Sequence, residues 1–133
     1  MAKGTFLGLR SLLSGLSCAL LLLPSSGCGG GNDPKVAKVG EPSGSTCPSD
    51  SALTYANFGQ AFFQIHCLVC HGAKGPQAPK FDTLAEIRVA PDLIDQEAAA
   101  GPNAVNTLMP ETGFVAESER RQLGEWLACG TPD

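Results

Sequence analysis

Residues 67–71 read CLVCH, and this pentapeptide constrains the chain more than any other feature. It sets two thiols one helical turn apart and an imidazole directly after the second. It also closes a helical pattern. From Thr54, a residue suited to N-capping, the segment YANFGQAFFQIHC spaces Phe58, Phe62 and Ile65 at i, i+4 and i+7. Whatever the cluster holds is met at the C-terminal end of a short helix. The chain of 133 residues allows one domain with a modest core around it.

The rest of the chain is also helical in pattern. After the cluster comes GAKGPQAPKFD, a loop rich in Gly and Pro. Two short helical candidates follow, DTLAEIRVA from Asp82 and PDLIDQEAAA from Pro91 at the first helical position, the second ended by Gly101 and Pro102. Residues 103–114, NAVNTLMPETGF, carry turn signals and one methionine. A last amphipathic helix spans about Glu117 to Cys129, with Leu123, Trp126 and Leu127 on one face and Gly130 at the stop. Glu117 and Glu119 favour its N-terminus, while Ala116 is a poor cap. No internal repeat and no alternating strand pattern is seen, so the expectation is an all-α fold.

The N-terminus reads as an export signal. Lys3 and Arg10 precede SLLSGLSCALLLL at 11–23, an apolar run too short to span a bilayer. SSGC at 25–28 resembles the bacterial lipobox, which predicts lipidation of Cys28 after removal of residues 1–27, although Ser25 stands where a leucine is usual. The alternative is an ordinary secretory signal. Residues 28–53 form the expected tether, twelve of the twenty-three residues at 29–51 being Gly, Pro or Ser. Residues 54–133 form the expected domain. Removing 1–27 takes two of nine basic residues and none of thirteen acidic ones, which moves the net charge from −4 to −6. An acidic domain argues against nucleic acid as partner and for proteins with basic docking surfaces.

Export places six cysteines in an oxidising compartment, and each needs a fate. Cys18 leaves with the signal, Cys28 takes lipid, and Cys67 and Cys70 belong to the pentapeptide. Cys47 and Cys129 remain, near the two ends of the folded part, and are expected to pair; two separate free thiols are the alternative.

Three chemistries compete for CLVCH. A zinc site wants two separated ligand pairs, whereas His66, Cys67, Cys70 and His71 are crowded into six residues. A dithiol exchange site wants its CxxC at the start of a helix in a βαβ unit. Haem attachment explains every position: two thiols add to the two vinyl groups of one porphyrin edge, and the next residue, His71, is held beneath the iron.

With those residues in place the chain resembles a class I cytochrome c, a monohaem electron carrier. Residues 54–130 carry the likeness. Gly59 and Phe63 stand eight and four residues before Cys67 in the GxxxFxxxCxxCH pattern, LMP at 108–110 is similar to the distal Met-Pro loop, and WLACG at 126–130 to the closing helix. The compact middle departs from longer members. The resemblance implies three to five helices around one covalent haem c, with Gly59 admitting Trp126 at the crossing of first and last helices. It also implies a proline carbonyl on the second nitrogen of His71, which the spacing leaves open between Pro76 and Pro79.

Met109 is the sole methionine after the signal, and His66 is tied to the proximal side through Cys67, so Met109 is the expected second axial iron ligand. Its other possible role is gap-filling in the core. Leu68, Phe81, Leu84, Ile94, Leu108, Phe114 and Leu127 are expected to wrap the group. The function implied is one-electron transfer on the periplasmic side of a bacterial membrane, by a monomer or a dedicated subunit of a redox complex, and not catalysis. A ligand sensor or haem enzyme with a displaceable Met109 stands as the alternative of a different class.

Overall fold

The computed structural model describes residues 39–133. The signal 1–27, Cys28 and the first part of the tether lie outside the described residues. A π-helical turn, Tyr55–Gly59, leads into α1 (Gln60–His66), followed by α2 (Leu68–His71), α3 (Leu84–Ile87), α4 (Pro91–Ala98) and α5 (Glu117–Ala128). The fold of the described residues is all-α, with an isolated bridge between Ala100 and Val105. Among the described residues no helix is long and apolar enough to cross a membrane.

Local chemistry sets the helix ends. Thr54 Oγ1 accepts the Asn57 N–H at 3.2 Å while Asn57 Oδ1 accepts the Thr54 N–H at 2.8 Å, a reciprocal cap. Thr83 and Glu86 repeat the device at α3, so that helix starts after Thr83 rather than at Asp82. Pro91 opens α4 as expected. That helix stops at Ala98, short of the alanine run's end, because Ala99 and Ala100 turn extended and pair elsewhere. The Asn106 N–H donates to Ala99 O at 2.9 Å, and the Ala100 N–H to Arg120 O at 2.9 Å. At α5 the N-terminal Ala116 N–H is taken by Glu119 Oε2 at 3.3 Å, the help an alanine cap needs.

The core forms where α1 crosses α5. Phe62, Phe63, Phe81, Ile87, Leu123 and Trp126 are buried, with Leu68, Leu84 and Met109 packed at its margin. Burial of such side chains contributes about 1.5–3 kcal/mol each. Of the residues expected to wrap the site, Leu108 and Phe114 are instead exposed, Phe114 to 85 %.

Residues 39–53, read from composition as tether, lie docked on the helices. Ser43 is fully buried: its N–H donates to Asp95 Oδ2 at 2.7 Å, its hydroxyl to Asp95 Oδ1, and its carbonyl accepts from Asn103 N at 2.9 Å. Gly124 of α5 permits this approach, since a Cβ there would stand 2.2 Å from Ser45 Oγ. Cys47 and Cys129 form a disulfide with Cα atoms 4.7 Å apart. It closes a loop of 82 residues, and the chain-entropy effect of such a loop is on the order of 4 kcal/mol. The C-terminal tail returns beside it, Pro132 O accepting from Tyr55 N at 2.7 Å and from Trp126 Nε1 at 3.3 Å.

Gly59, the last residue of the π-helical turn, decides how close the start of the first helix comes to α5. A Cβ on it would lie 2.8 Å from Trp126 Cζ2, and Trp126 is fully buried, so the ring has nowhere to swing. Gly59→Ala would gain about 1 kcal/mol of helix propensity. Overpacking a rigid ring costs roughly 1–3 kcal/mol. The expected result is a lower denaturant midpoint than wild type, and a midpoint at or above wild type would show that the crossing has slack.

Candidate functional site

The pentapeptide sits where the first helix breaks and resumes. Cys67 adopts φ −118° and ψ −40°, ending α1 and starting the single turn of α2. Its carbonyl accepts from His71 N at 2.8 Å and from Cys70 N at 3.1 Å. Cys67 and Cys70 are therefore i and i+3 on one turn, neighbours on its surface. Cys67 is half-buried against the core margin, and burial pushes its thiol up to about 12. A buried thiol so protonated is a poor nucleophile for disulfide exchange. Cys70 is disulfide-bonded in this structure.

His71 is held from behind. Residues 72–81 fold back over α2: Gln77 N donates to Cys70 O at 3.0 Å, and Phe81 N to His71 O at 2.9 Å. Lys80 braces the bend by donating its ammonium to Gly72 O at 3.0 Å and Gly75 O at 2.7 Å. The result brings Pro79 O within 2.8 Å of His71 Nδ1, so Pro79 rather than Pro76 is the histidine's partner. A carbonyl only accepts, so Nδ1 carries the hydrogen and Nε2 of the neutral ring keeps its lone pair for another partner. Phe81 packs beside the imidazole, ring centroids 5.1 Å apart.

Met109 comes from a separate loop between α4 and α5. Its N–H donates to Glu97 O at 2.8 Å, and its carbonyl accepts from Arg120 Nη1 at 2.7 Å. The side chain is half-buried and packs on the same core cluster that Cys67 and Leu68 border. Thus Cys67, Cys70 and His71 share one turn, while Met109 reaches the same hydrophobic core from a separate segment of the chain. His66 lies apart, its ring against Phe62 and its Nε2 3.9 Å from Glu119 Oε1. Among the described residues no group of three or more His, Cys, Asp or Glu side chains converges as a site for a bare metal ion.

Arg120 was not legible as a site residue. It is 5 % exposed, and its Nη1 lies 2.7, 2.8 and 2.7 Å from Ala98 O, Asn106 O and Met109 O, its two hydrogens serving the three carbonyls with one of them shared. Burial pulls its pKa below the ordinary value, yet a guanidinium stays charged. A signal for it exists in the sequence: Arg120, Leu123 and Leu127 follow i, i+3, i+7, which puts a cation on the apolar stripe of α5.

The donor set is thus two sulfurs on one turn, that of Cys67 free and that of Cys70 in a disulfide, followed by an imidazole whose Nδ1 is already engaged by Pro79 O; haem attachment would need both sulfurs free. No family model, curated protein or solved structure matches this chain.

The histidine geometry is open to direct measurement. Nitrogen-15 NMR of neutral His71 should report the Nδ1–H tautomer, with that hydrogen protected from exchange by Pro79 O. A dominant Nε2–H tautomer would contradict the hydrogen bond.

Proposed function

We propose that this chain is a one-electron carrier that binds a single haem c through thioether bonds at Cys67 and Cys70, with His71 and Met109 as axial iron ligands, in a class I cytochrome c type of fold. The observation that carries the reading is the hydrogen bond from His71 Nδ1 to Pro79 O, since it orients the ring and leaves Nε2 for a metal. When bound, the group supplies an iron that gains and loses one electron while keeping both ligands.

The chain's own residues do the rest. Cys67 and Cys70 would hold the group at two points, each S–H adding across a vinyl double bond with no atom lost. This requires the sulfurs of both Cys67 and Cys70 as thiols. Phe63, Phe81 and Leu68 give the His71 side apolar surroundings that limit water. Val69, Leu108 and Phe114, in the segments carrying the proposed ligands, leave apolar surface exposed that a bound macrocycle would help to cover. The raised Cys67 thiol pKa disfavours the dithiol alternative. An acidic domain suits brief encounters with basic redox partners, and a lipid on Cys28 would hold it at the periplasmic side of a membrane.

Expression with a haem-attachment system is expected to give a red protein whose colour stays with the polypeptide in acidified acetone, and whose intact mass exceeds the processed chain by one whole haem. Freely extracted haem would overturn covalent attachment; colourless protein with paired Cys70 would favour a redox disulfide. Met109→Ala is expected to keep the covalent haem, lose the near-infrared sulfur-to-iron band of the ferric state and admit carbon monoxide to the ferrous iron. Rapid carbon monoxide binding by wild type lacking that band would favour the sensor or enzyme reading.

A further inference from the structure

We infer that Arg120 is the positioning residue for Met109, holding the methionine loop so that the sulfur stays on the iron; the inference rests on the reading of Met109 as a ligand. A leucine on this stripe of α5 would fill the same core without a desolvation cost, so the cation needs another reason to be there. Its hydrogen bonds supply one. Nη1 gathers three carbonyls, Ala98 at the end of α4, Asn106 before the methionine and Met109 itself. Together these fix where the chain leaves α4 and where it delivers residue 109.

The same loop is tied from its other side. Asn106 is buried, and its Nδ2 donates to Glu41 O at 2.8 Å and Asp95 O at 2.9 Å, while its N–H reaches Ala99 O. Met109 N donates to Glu97 O. Asn106 thus anchors the loop's start to α4 and the docked N-terminal segment, and Arg120 anchors both its start and residue 109 to α5. Without the guanidinium, the bond from the Met109 N–H to Glu97 O is left as the hydrogen bond described at Met109 itself. Charge-assisted bonds to carbonyls are among the stronger hydrogen bonds, and a rigid loop lowers the entropy lost when the sulfur stays bound.

The test uses haem-loaded full-length chain and compares wild type with Arg120→Gln and Arg120→Lys. Three readouts are the ferric near-infrared band, the rate of carbon monoxide binding to the ferrous protein, and hydrogen exchange at the Met109 amide. Arg120→Gln should retain covalent haem and helical circular dichroism, weaken the band, and speed carbon monoxide binding about tenfold, the factor equivalent to ~1.4 kcal/mol of lost positioning. Exchange at Met109 should accelerate while amides of α1 keep their protection, and Arg120→Lys should fall between. A folded Arg120→Gln protein with wild-type band, binding rate and Met109 exchange would overturn the inference even if it melts earlier, because a merely structural arginine predicts that outcome. If Arg120→Gln does not fold, Arg120→Lys decides: carbon monoxide binding faster than wild type supports the inference, and an unchanged rate overturns it. Wild type without covalent haem or without the band would overturn the functional reading itself and this inference with it, whereas wild type with both and unaltered variants sinks the inference alone.

Discussion

The close approach of Gly59 to the Trp126 indole sets the position of the groups gathered at residues 67–81. Because a Cβ at Gly59 would meet the ring at 2.8 Å, the first helix can lie against α5 only as a glycine allows. From that crossing a line of aromatic rings runs outward. Phe63 lies 6.2 Å from Trp126 and 5.5 Å from Phe81, and Phe81 lies 5.1 Å from His71. Close-packed interiors transmit such constraints, since there is no void for a ring to move into. The histidine is thereby placed by packing that begins two helical turns upstream of the pentapeptide. The disulfide ties the far end of α5 to Cys47 in the N-terminal segment, and the returning tail ties it to Tyr55 at the start of the first helix.

Backbone carbonyls are the second organising element. His71, Lys80 and Arg120 each direct polar hydrogens at carbonyls of the loops that flank them. Loops of this kind carry many polar groups, and burying them unpaired costs roughly 1–3 kcal/mol each. Long basic side chains reach those groups and still leave charge partly solvated at Lys80, or fully enclosed at Arg120. For the proposed electron carrier this matters in a specific way: ligands delivered by braced loops need little movement when the charge on the iron changes.

The helices were legible because their ends are written in short-range chemistry. Thr54 caps, Pro91 starts, Gly130 stops, and α5 shows its apolar face at Leu123, Trp126 and Leu127, while at α3 the cap is Thr83 and the helix begins later than the sequence pattern places it. Pairing of Cys47 with Cys129 followed from counting thiols. What escaped was decided by long-range contacts. Ser43 and its neighbours look like solvated linker by composition, and nothing local announces that Asp95, 52 residues away, will bury them. Ala99 and Ala100 favour helix by propensity, yet their backbone bonds to Asn106 and Arg120 win. Leu108 and Phe114 are apolar and lie one and five residues from the expected ligand, yet both are exposed. Arg120 is the instructive case, because a cation on an apolar stripe was visible and only its three acceptors were not.

The most direct measurement is the reduced-minus-oxidised visible spectrum of the purified mature domain. The account predicts a sharp long-wavelength band of low-spin ferrous haem c on reduction, and a spectrum that carbon monoxide leaves largely unchanged. Protein produced with a working attachment system that shows no haem absorption in either state would contradict it.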